Sequence, residues 1–244
     1  LNHLEESLTL PGGETWLLSG DEPKGRPAPL HPQEDVLEEF ALEAGLPVWR
    51  FSRGGIRMEK RLLMPHLQNT TYVIYRLLSG QRGVRLNLRP SMHPRPHEGL
   101  LGGELTESWR IVERGRELEL SCDPAVPALR IVAIGESEFD RDAKSLRHLI
   151  YRLERSRGYD HEGAVWSPGV IRIVLEPDVD AGIVASVEPW EVVRALTIEE
   201  CRSAEMQRRQ RLLAISGRSA HDNFAAQLVL AADQFLIRPG SRAA

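Results

Sequence analysis

Alternating apolar and polar side chains mark the segment from residue 46 to residue 90 as a run of β-strands. Between residues 56 and 64 apolar residues fall on every second position, apart from Lys60, and charged residues stand between most of them. The same period of two returns in 71–77 and in 84–90. This period is typical of a strand with one buried face, since a shift by one residue would turn charged side chains into the core. The pattern therefore predicts an antiparallel β-meander with Lys60 as a polar residue on its buried face.

Glycine-containing segments separate these strands and indicate tight connections. The segments 52–55 (Ser-Arg-Gly-Gly) and 79–83 (Ser-Gly-Gln-Arg-Gly) contain residues that tolerate the positive φ of a hairpin turn. Strands joined by such short turns build β-sandwiches and barrels. Further strands and hairpins are predicted on both sides of the meander: 1–10 with 15–19, 107–121, 129–134, and 170–175 with 183–187 around a turn at 177–182.

Helical signals are few, and most lie towards the C-terminus. The apolar spacing i, i+3, i+4, i+7 in 146–153, followed by Gly158, predicts one helix in mid-chain. The segment 197–216 opens with the Thr-x-x-Glu of a capping box, and Ser and Asp at the start of 219–236 resemble a second cap. By propensity alone the Glu-, Leu- and Ala-rich segment 33–42 also favours a helix.

Composition excludes several classes of function. The 244 residues carry a formal net charge of −4 with a sequence pI near 6.1, without the excess of Lys and Arg that nucleic-acid binding requires. The two cysteines, Cys122 and Cys201, lie far apart and predict neither a disulfide framework nor a zinc site. No apolar run approaches the roughly 20 residues that cross a bilayer. We therefore expect a cytoplasmic protein with no nucleic-acid or membrane partner.

The common catalytic and ligand-binding motifs are missing from the sequence. It has no phosphate-binding GxxxxGK[ST] or GxGxxG loop and no GxSxG nucleophile motif. His93 and His97 are four residues apart, but the prolines between them prevent the helix on which that spacing would form a metal site. Acidic residues are plentiful, yet their density does not show the facing pair that a glycosidase needs. No metal ion or cofactor is predicted.

Several short motifs, taken together and in order, resemble the N-terminal domain of the bacterial and archaeal glycogen debranching enzymes, the amylo-α-1,6-glucosidase family. Each motif alone has little specificity, but their order and spacing along nearly the whole chain carry the resemblance. They are His31-Pro32-Gln33, Pro47-Val48-Trp49, Glu59-Lys60-Arg61 with Met64, Asn69-Thr70, Tyr75-Arg76-Leu77-Leu78, Arg89-Pro90, Tyr151 with Glu154, Arg157-Gly158, Ser167-Pro168-Gly169 and Ala232-Asp233-Gln234-Phe235-Leu236.

The resemblance implies a mainly β fold, a galactose-mutarotase-like β-supersandwich followed by two C-terminal linker helices. On that basis we expect a sandwich domain over 1–190 and a helical linker over 191–244 that leads to an α/α-toroid. The family's catalytic carboxylates lie on the toroid, which we expect beyond residue 244. No catalytic residue is therefore assigned to this chain, and the chain alone is predicted to be inactive. The same comparison predicts strand, against propensity, for 37–42.

The resemblance also implies that the loops 91–103 and 151–167 face an α-glucan, such as glycogen or a maltooligosaccharide, or the catalytic toroid. Two departures from the family reduce the expected stacking and charge, because 144–148 lacks the family's aromatic residues and Gly163-Ala164 replaces an acidic pair. Trp166, beside a Ser-Pro-Gly turn, has the least clearly structural position of the five tryptophans. The candidate site residues are His93, Arg95, His97, Tyr151, Glu154, Arg157, Tyr159 and Trp166.

Two other functions stay open at the level of sequence. The first is a stand-alone aldose epimerase-like enzyme, in which His93, His97 and Glu154 would transfer protons at a sugar carbon. The second is a β-sandwich interaction module unrelated to glycans. The enzyme needs an acid and a base that converge on one cleft, whereas the module needs no sugar-lined cleft.

Overall fold

Two large antiparallel sheets form most of the described structure, with strands and helices numbered here in chain order. The computed structural model describes residues 2–19, 35–95, 99, 105, 108–141, 146–216 and 223–236. The larger sheet has eight strands, in spatial order β3 (Leu37–Glu43), β4 (Leu46–Arg53), β5 (Ile56–Leu63), β6 (Thr70–Ser79), β15 (Asp180–Ser186), β10 (Leu129–Ile134), β9 (Glu117–Ser121) and β8 (Arg110–Arg114). The smaller sheet has five, in the order β11 (Ser137–Arg141), β14 (Gly169–Leu175), β7 (Val84–Ser91), β1 (His3–Thr9) and β2 (Thr15–Leu17).

A separate hairpin and four helices complete the described elements. They are β12 (Leu146–Ile150), α1 (Arg152–Ser156), β13 (Glu162–Trp166), α2 (Trp190–Val193), α3 (Ile198–Ile215) and α4 (Asn223–Asp233). The helix α1 lies in the connection between β12 and β13, whereas the other three helices follow the last strand. The predicted fold class, a mainly β sandwich followed by C-terminal helices, is therefore confirmed.

The core lies between the two sheets because their strands turn alternate apolar side chains towards each other. Tyr75 and Leu77 on β6 belong to one buried cluster with Leu86 and Leu88 on β7, and all four side chains are fully buried. Burial of one large aliphatic side chain stabilises a fold by about 1.5–3 kcal/mol. The buried faces that the alternating pattern predicted for these strands are thus confirmed.

The C-terminal helices cover the outer face of the larger sheet and create a second apolar cluster. Tyr72 and Ile74 on β6 pack there with Val193 of α2 and Cys201 of α3. The Tyr72 hydroxyl lies 3.0 Å from the Cys201 sulfur. This packing explains why β6 carries buried apolar side chains on both faces. A strand in a sheet with one solvent-exposed face would carry them on one face only.

A network of ion pairs joins α3 to α4, and a hydrogen bond from one of its arginines reaches the turn between β3 and β4. Arg209 of α3 donates to the Ala44 carbonyl at 3.1 Å and to Glu205 at 2.8 Å. Arg208 binds Glu205 and also reaches Asp233 of α4 at 2.6 Å. The carboxylate of Glu205, which is almost fully buried, is therefore shared by two guanidinium groups. The helical segment is held on the sandwich rather than extending away from it.

The predicted meander is confirmed for β4 to β6 and is wrong for β7. Neighbouring strands from β4 to β6 pair antiparallel, whereas β7 pairs with β1 and β14 in the smaller sheet. The connection 80–83 therefore crosses between the sheets instead of closing a hairpin. Four extended residues reach about 13 Å, which is enough to cross the roughly 10 Å between packed sheets. A period of two identifies the buried face of a strand but not its partner.

The predicted hairpin of 170–175 with 183–187 is wrong for the same reason. Its two strands are β14, which pairs with β11 and β7, and β15, which pairs with β6 and β10. The connection passes the end of β6, where the Asp178 amide donates to the Leu77 carbonyl at 2.9 Å. The turn residues were recognised correctly, but they join two sheets.

The helix predicted within 146–153 is also wrong, because most of the segment is strand β12 paired with β13. Of its four periodic apolar residues only Leu149 is buried, while Leu146 and Leu153 are exposed. Helix forms only afterwards, as α1, and it ends before Gly158, whose φ is +75°. Pairing with a neighbouring strand has overridden the local helical spacing.

The other predicted elements that fall on described residues are confirmed. β1 pairs with β2, β8 pairs with β9, and β10 and β3 are strands. At the start of α3 the Thr197 hydroxyl accepts from the Glu200 amide at 3.3 Å, and Glu200 accepts from the Thr197 amide at 2.8 Å, which completes the predicted capping box. The second cap, predicted at Ser219 and Asp222, lies outside the described residues.

Candidate functional site

The β12–β13 hairpin lies against the end of β7, and backbone contacts hold it there. Met92 and Trp166 exchange two backbone hydrogen bonds, of 2.7 and 2.8 Å. Asn2 fixes the same segment from the other side, because its amide donates to the Ser91 carbonyl at 2.9 Å and its side-chain oxygen accepts from the His93 amide at 2.5 Å. The predicted loops 91–103 and 151–167 thus meet at the base of this hairpin.

Two tryptophans stack at this junction. The rings of Trp109 and Trp166 are parallel within 1°, and their centroids are 4.3 Å apart. Trp166 is only 7% exposed, so the position that looked least structural in sequence belongs to the core. Trp109 precedes β8 by one residue, and nothing in its local sequence pattern predicted the stack.

Beside the stack lies a cavity of about 510 Å³, which we name the hairpin cavity. Its polar wall holds His93, Arg95, Ser121 and the Trp109 indole, and its remaining described lining is mostly apolar. Among the described residues that line it, none is an aspartate or a glutamate. The lining residues are Asn2, Met92, His93, Pro94, Arg95, Trp109, Leu120, Ser121, Cys122, Ala125, Val126, Pro127, Leu129 and Val187.

The electrostatics of the hairpin cavity favour an uncharged histidine. Burial, and then the neighbouring Arg95 guanidinium, lower the pKa of His93 below its usual value, although a hydrogen bond with the Ala164 backbone acts in the opposite direction. At neutral pH the imidazole is therefore neutral. It can donate or accept a hydrogen bond but adds no charge to the cavity.

Two buried polar atoms near the hairpin cavity are left without a hydrogen bond. The Ser91 hydroxyl and the Trp109 indole nitrogen have no partner among the described residues. A buried polar group that is left unpaired costs about 1–3 kcal/mol, so such groups usually mark a bound water molecule or ligand. Both atoms are donors, and both lie close to the hairpin junction, since Ser91 precedes Met92 and Trp109 stacks on Trp166.

A second cavity, of about 540 Å³, lies between the sheets, and we name it the Lys60 cavity. It shares Asn2, Leu129 and Val187 with the hairpin cavity, so the two adjoin. Its lining contains both polar and apolar side chains. The lining residues are Asn2, His3, Leu4, Glu6, Lys60, Leu62, Met64, Asn69, Thr71, Val73, Leu129, Ala185, Ser186 and Val187.

A buried charge network forms one wall of the Lys60 cavity and joins the two sheets. The Lys60 ammonium lies 2.6 and 2.7 Å from the two carboxylate oxygens of Glu6, which is 2% exposed, and 5.0 Å from the centre of the Trp49 ring. The Tyr75 hydroxyl donates to Glu6 as well. Burial, and then the Glu6 carboxylate, raise the pKa of Tyr75 well above its usual value, so the phenol keeps its proton. The predicted polar residue on the buried face therefore has a charged partner.

Four of the predicted site residues lie together at the other end of the β12–β13 hairpin. Glu154 is 3.6 Å from the Arg157 guanidinium, and its carbonyl accepts from the Tyr159 amide at 3.0 Å. Tyr151 closes the hairpin tip by donating its amide to the His161 carbonyl, and Tyr159 is 64% exposed. These residues form an outward-facing tip.

The structure therefore divides the predicted site into two groups. His93 and Arg95 line the hairpin cavity and Trp166 stacks on its lining residue Trp109, whereas the tip residues lie beyond the far end of β13. The four residue steps from Trp166 to Glu162 already span about 13 Å. His97 lies outside the described residues.

This arrangement does not bring together the residues expected to transfer protons. His93 and Glu154 do not converge on one cavity, and Glu154 lies beside Arg157 at the hairpin tip. The buried acid Glu6 is bound to both Lys60 and Tyr75, so it has no free role as a base. Among the described residues, no group of three or more His, Cys, Asp or Glu side chains could hold a metal ion.

Comparison with known proteins assigns the chain to a family. Within the described residues, no helix combines the length and the apolar character needed to span a membrane. A search of curated proteins found no match. A family model described as "Glycogen debranching enzyme N terminal" matches residues 1–181, from the first strand into β15. The matched range contains every described residue that lines the hairpin cavity except Val187. Because that match covers well over half of the sequence, the chain belongs to the family of glycogen debranching enzyme N-terminal domains.

Proposed function

We propose that this chain is the non-catalytic N-terminal domain of a cytoplasmic glycogen debranching enzyme, that it contacts α-glucan through the hairpin cavity, and that it supports a catalytic α/α-toroid. The observation that carries the proposal is the chemistry of that cavity. One tryptophan, Trp109, lines the cavity with an uncharged histidine and a largely apolar wall around about 510 Å³, without a carboxylate among the described lining residues, and Trp166 stacks behind it.

The absence of a described carboxylate from the lining supports a non-catalytic role. Hydrolysis of a glycosidic bond needs two carboxyl groups that flank it, at about 5–9 Å from each other. Glu6, which lines the adjoining Lys60 cavity, is neutralised by Lys60. We therefore place the chemistry of the parent enzyme on the toroid, as the family resemblance implies.

The hairpin cavity suits a sugar because it offers both apolar surface and isolated hydrogen-bonding groups. Binding sites for small molecules usually measure about 300–1,000 Å³ and combine apolar walls with a few polar groups that fix the orientation of the ligand. The Trp109 indole supplies an aromatic ring and an unpaired buried donor, and Ser121 and His93 supply further hydrogen-bonding groups. A pyranose ring presents apolar C–H faces and hydroxyl edges to such groups.

Exposed apolar side chains at the C-terminal end support the second part of the proposal, the docking of a catalytic domain. On and just after α4, Phe224 is 76% exposed and Phe235 is 84% exposed, and Leu228 and Leu236 are exposed as well. The opposite side of α4 is buried at Ala226 and Leu230. We propose that residues 191–244 are the linker, held on the sandwich 1–190 by the apolar packing of α2 and α3 and by the Arg209–Ala44 hydrogen bond, and that the exposed face of α4 packs against the toroid.

Calorimetric titration with maltotriose at millimolar concentration tests the glucan contact. We expect binding to the unmodified chain and about tenfold weaker binding to Trp109→Leu, because an aromatic contact contributes about 0.5–1.5 kcal/mol beyond its buried area. Trp190→Leu is the matched control, since Trp190 lies on α2 and lines neither cavity. Absence of heat from the unmodified chain would contradict the glucan contact. Release of glucose from a branched dextrin by this chain alone would contradict the non-catalytic role.

Hydrogen–deuterium exchange tests the docking of the toroid. Amides of α4 are expected to exchange more slowly in the full-length enzyme than in this chain, because a partner would exclude water from the exposed face. The amides of β12, which belongs to the β12–β13 hairpin and not to the C-terminal helices, serve as an internal comparison. Equal exchange of α4 in the two proteins would show that no domain packs on it.

A further inference from the structure

We infer that the glucan site has two chambers, so that the ligand is an oligosaccharide whose units occupy the hairpin cavity and the Lys60 cavity in succession. This inference rests on the proposed function, and it adds the length of the ligand and the residues that recognise its second part. Asn2, Leu129 and Val187 line both cavities, so the two adjoin at these three residues.

The size of the two cavities is the first argument. Each, at about 510 and 540 Å³, is by itself within the range of a small-molecule site, so a ligand that filled only one would leave the other to water. A chain of linked sugars can pass from the first cavity into the second and displace that water.

The polar lining of the Lys60 cavity is the second argument. It combines an amide and a hydroxyl, from Asn69 and Thr71, with the closed Glu6–Lys60 ion pair. Since the two charges neutralise each other, this wall favours a neutral ligand over an anion or a cation. The amide and the hydroxyl can each donate and accept hydrogen bonds, which is what the hydroxyl groups of a sugar require. A neutral, hydroxyl-rich ligand with apolar faces matches the whole lining.

An unpaired buried donor is the third argument. Trp109 lines the hairpin cavity, and its indole nitrogen has no partner among the described residues. A sugar unit in the hairpin cavity would bring acceptor oxygens close to this donor.

Affinity measured against chain length tests the inference. Maltose, maltotriose and maltohexaose are titrated into the unmodified chain, into Trp109→Leu and into Thr71→Val. We expect affinity to rise at least tenfold from maltose to maltohexaose. Thr71→Val, which removes one hydroxyl from the Lys60 cavity, should weaken maltohexaose about threefold to tenfold and leave maltose unchanged. Trp109→Leu should weaken all three ligands.

Thr15→Val is the matched control, because Thr15 begins β2 and lines neither cavity. Equal affinity for the three ligands, together with unmodified binding by Thr71→Val, would overturn the two-chamber site and leave the proposed glucan contact in place. Equal weakening of maltose and maltohexaose by Thr71→Val would overturn the order of the chambers and thus the inference as stated. Failure of every ligand to bind would instead overturn the proposed glucan contact.

Discussion

Lys60→Met is expected to lower the free energy of unfolding by roughly 3–5 kcal/mol, which is the usual cost of removing one member of a buried ion pair. Lys60 lies 2.6 Å from Glu6, and Glu6 is almost fully buried between the sheets. Without the ammonium group the carboxylate would keep only the Tyr75 hydroxyl as a partner. Methionine fills a similar volume, so the loss would reflect the unpaired charge rather than a cavity. Urea unfolding followed by circular dichroism measures the difference.

Two further variants show whether burial causes that loss. Arg172→Met removes an ion pair of the same length, 2.6 Å to Asp140, but both of its side chains are exposed. Its expected cost is below about 1 kcal/mol, because exposed ion pairs contribute little. The double variant Glu6→Gln/Lys60→Met should recover part of the loss, since it removes both charges. If Lys60→Met and Arg172→Met lowered the free energy of unfolding equally, burial of the Glu6–Lys60 pair would not be the cause of the loss.

The Glu6–Lys60 pair also shows how far the sequence could lead. Alternation in 56–64 places Lys60 on the buried face, and the structure confirms that placement. The alternation could not identify the partner of Lys60, Glu6, which lies 54 positions earlier in a strand of the other sheet. Periodicity reports the face of a strand, whereas the partner of a buried charge depends on how the two sheets are superposed.

The same limit explains the wrong predictions about strand pairing. At 79–83 and 177–182 the turn residues were recognised, but each segment connects one sheet to the other. Three of the four apolar residues at helical spacing belong to strand β12, because β13 supplies its backbone partners there. Hydrogen bonds between distant segments decided these elements, and a local pattern contains no record of them.

The candidate site was predictable only in part. His93, Arg95 and Trp166 were singled out in sequence; the first two line one cavity, and the Met92–Trp166 backbone pair places Trp166 beside it. Trp109 was expected only as part of a hairpin, although its ring completes the stack and its indole nitrogen is unpaired. The residues carried over from the family resemblance at the hairpin tip lie apart from that cavity. Resemblance located the segments, but only the fold showed which of their side chains share one space.

Gly182→Ala is expected to be at least as damaging as the loss of Lys60, because β15 has no room for a methyl group at this position. A Cβ atom there would lie 2.0 Å from the Val73 carbonyl oxygen and 3.2 Å from the Tyr75 ring. The φ of Gly182 is +142°, a conformation that alanine adopts only under strain. Backbone strain of about 1–3 kcal/mol and overpacking of about 1–3 kcal/mol should both apply, so we expect a loss of at least about 3 kcal/mol.

Urea unfolding of Gly182→Ala beside Gly12→Ala separates this effect from the general cost of replacing a glycine. Gly12 lies in the turn between β1 and β2, where a Cβ would meet nothing within 4 Å. Its substitution should change the midpoint little. Should Gly182→Ala not accumulate as folded protein, Gly55→Ala gives the cost of strain alone, since its φ is +80° and its surroundings are open. Similar losses for positions 55 and 182 would mean that contact with β6 does not limit this strand. A much larger loss at position 182 would show that β15 can approach the Val73 backbone and the Tyr75 ring of β6 this closely only at a residue without a side chain.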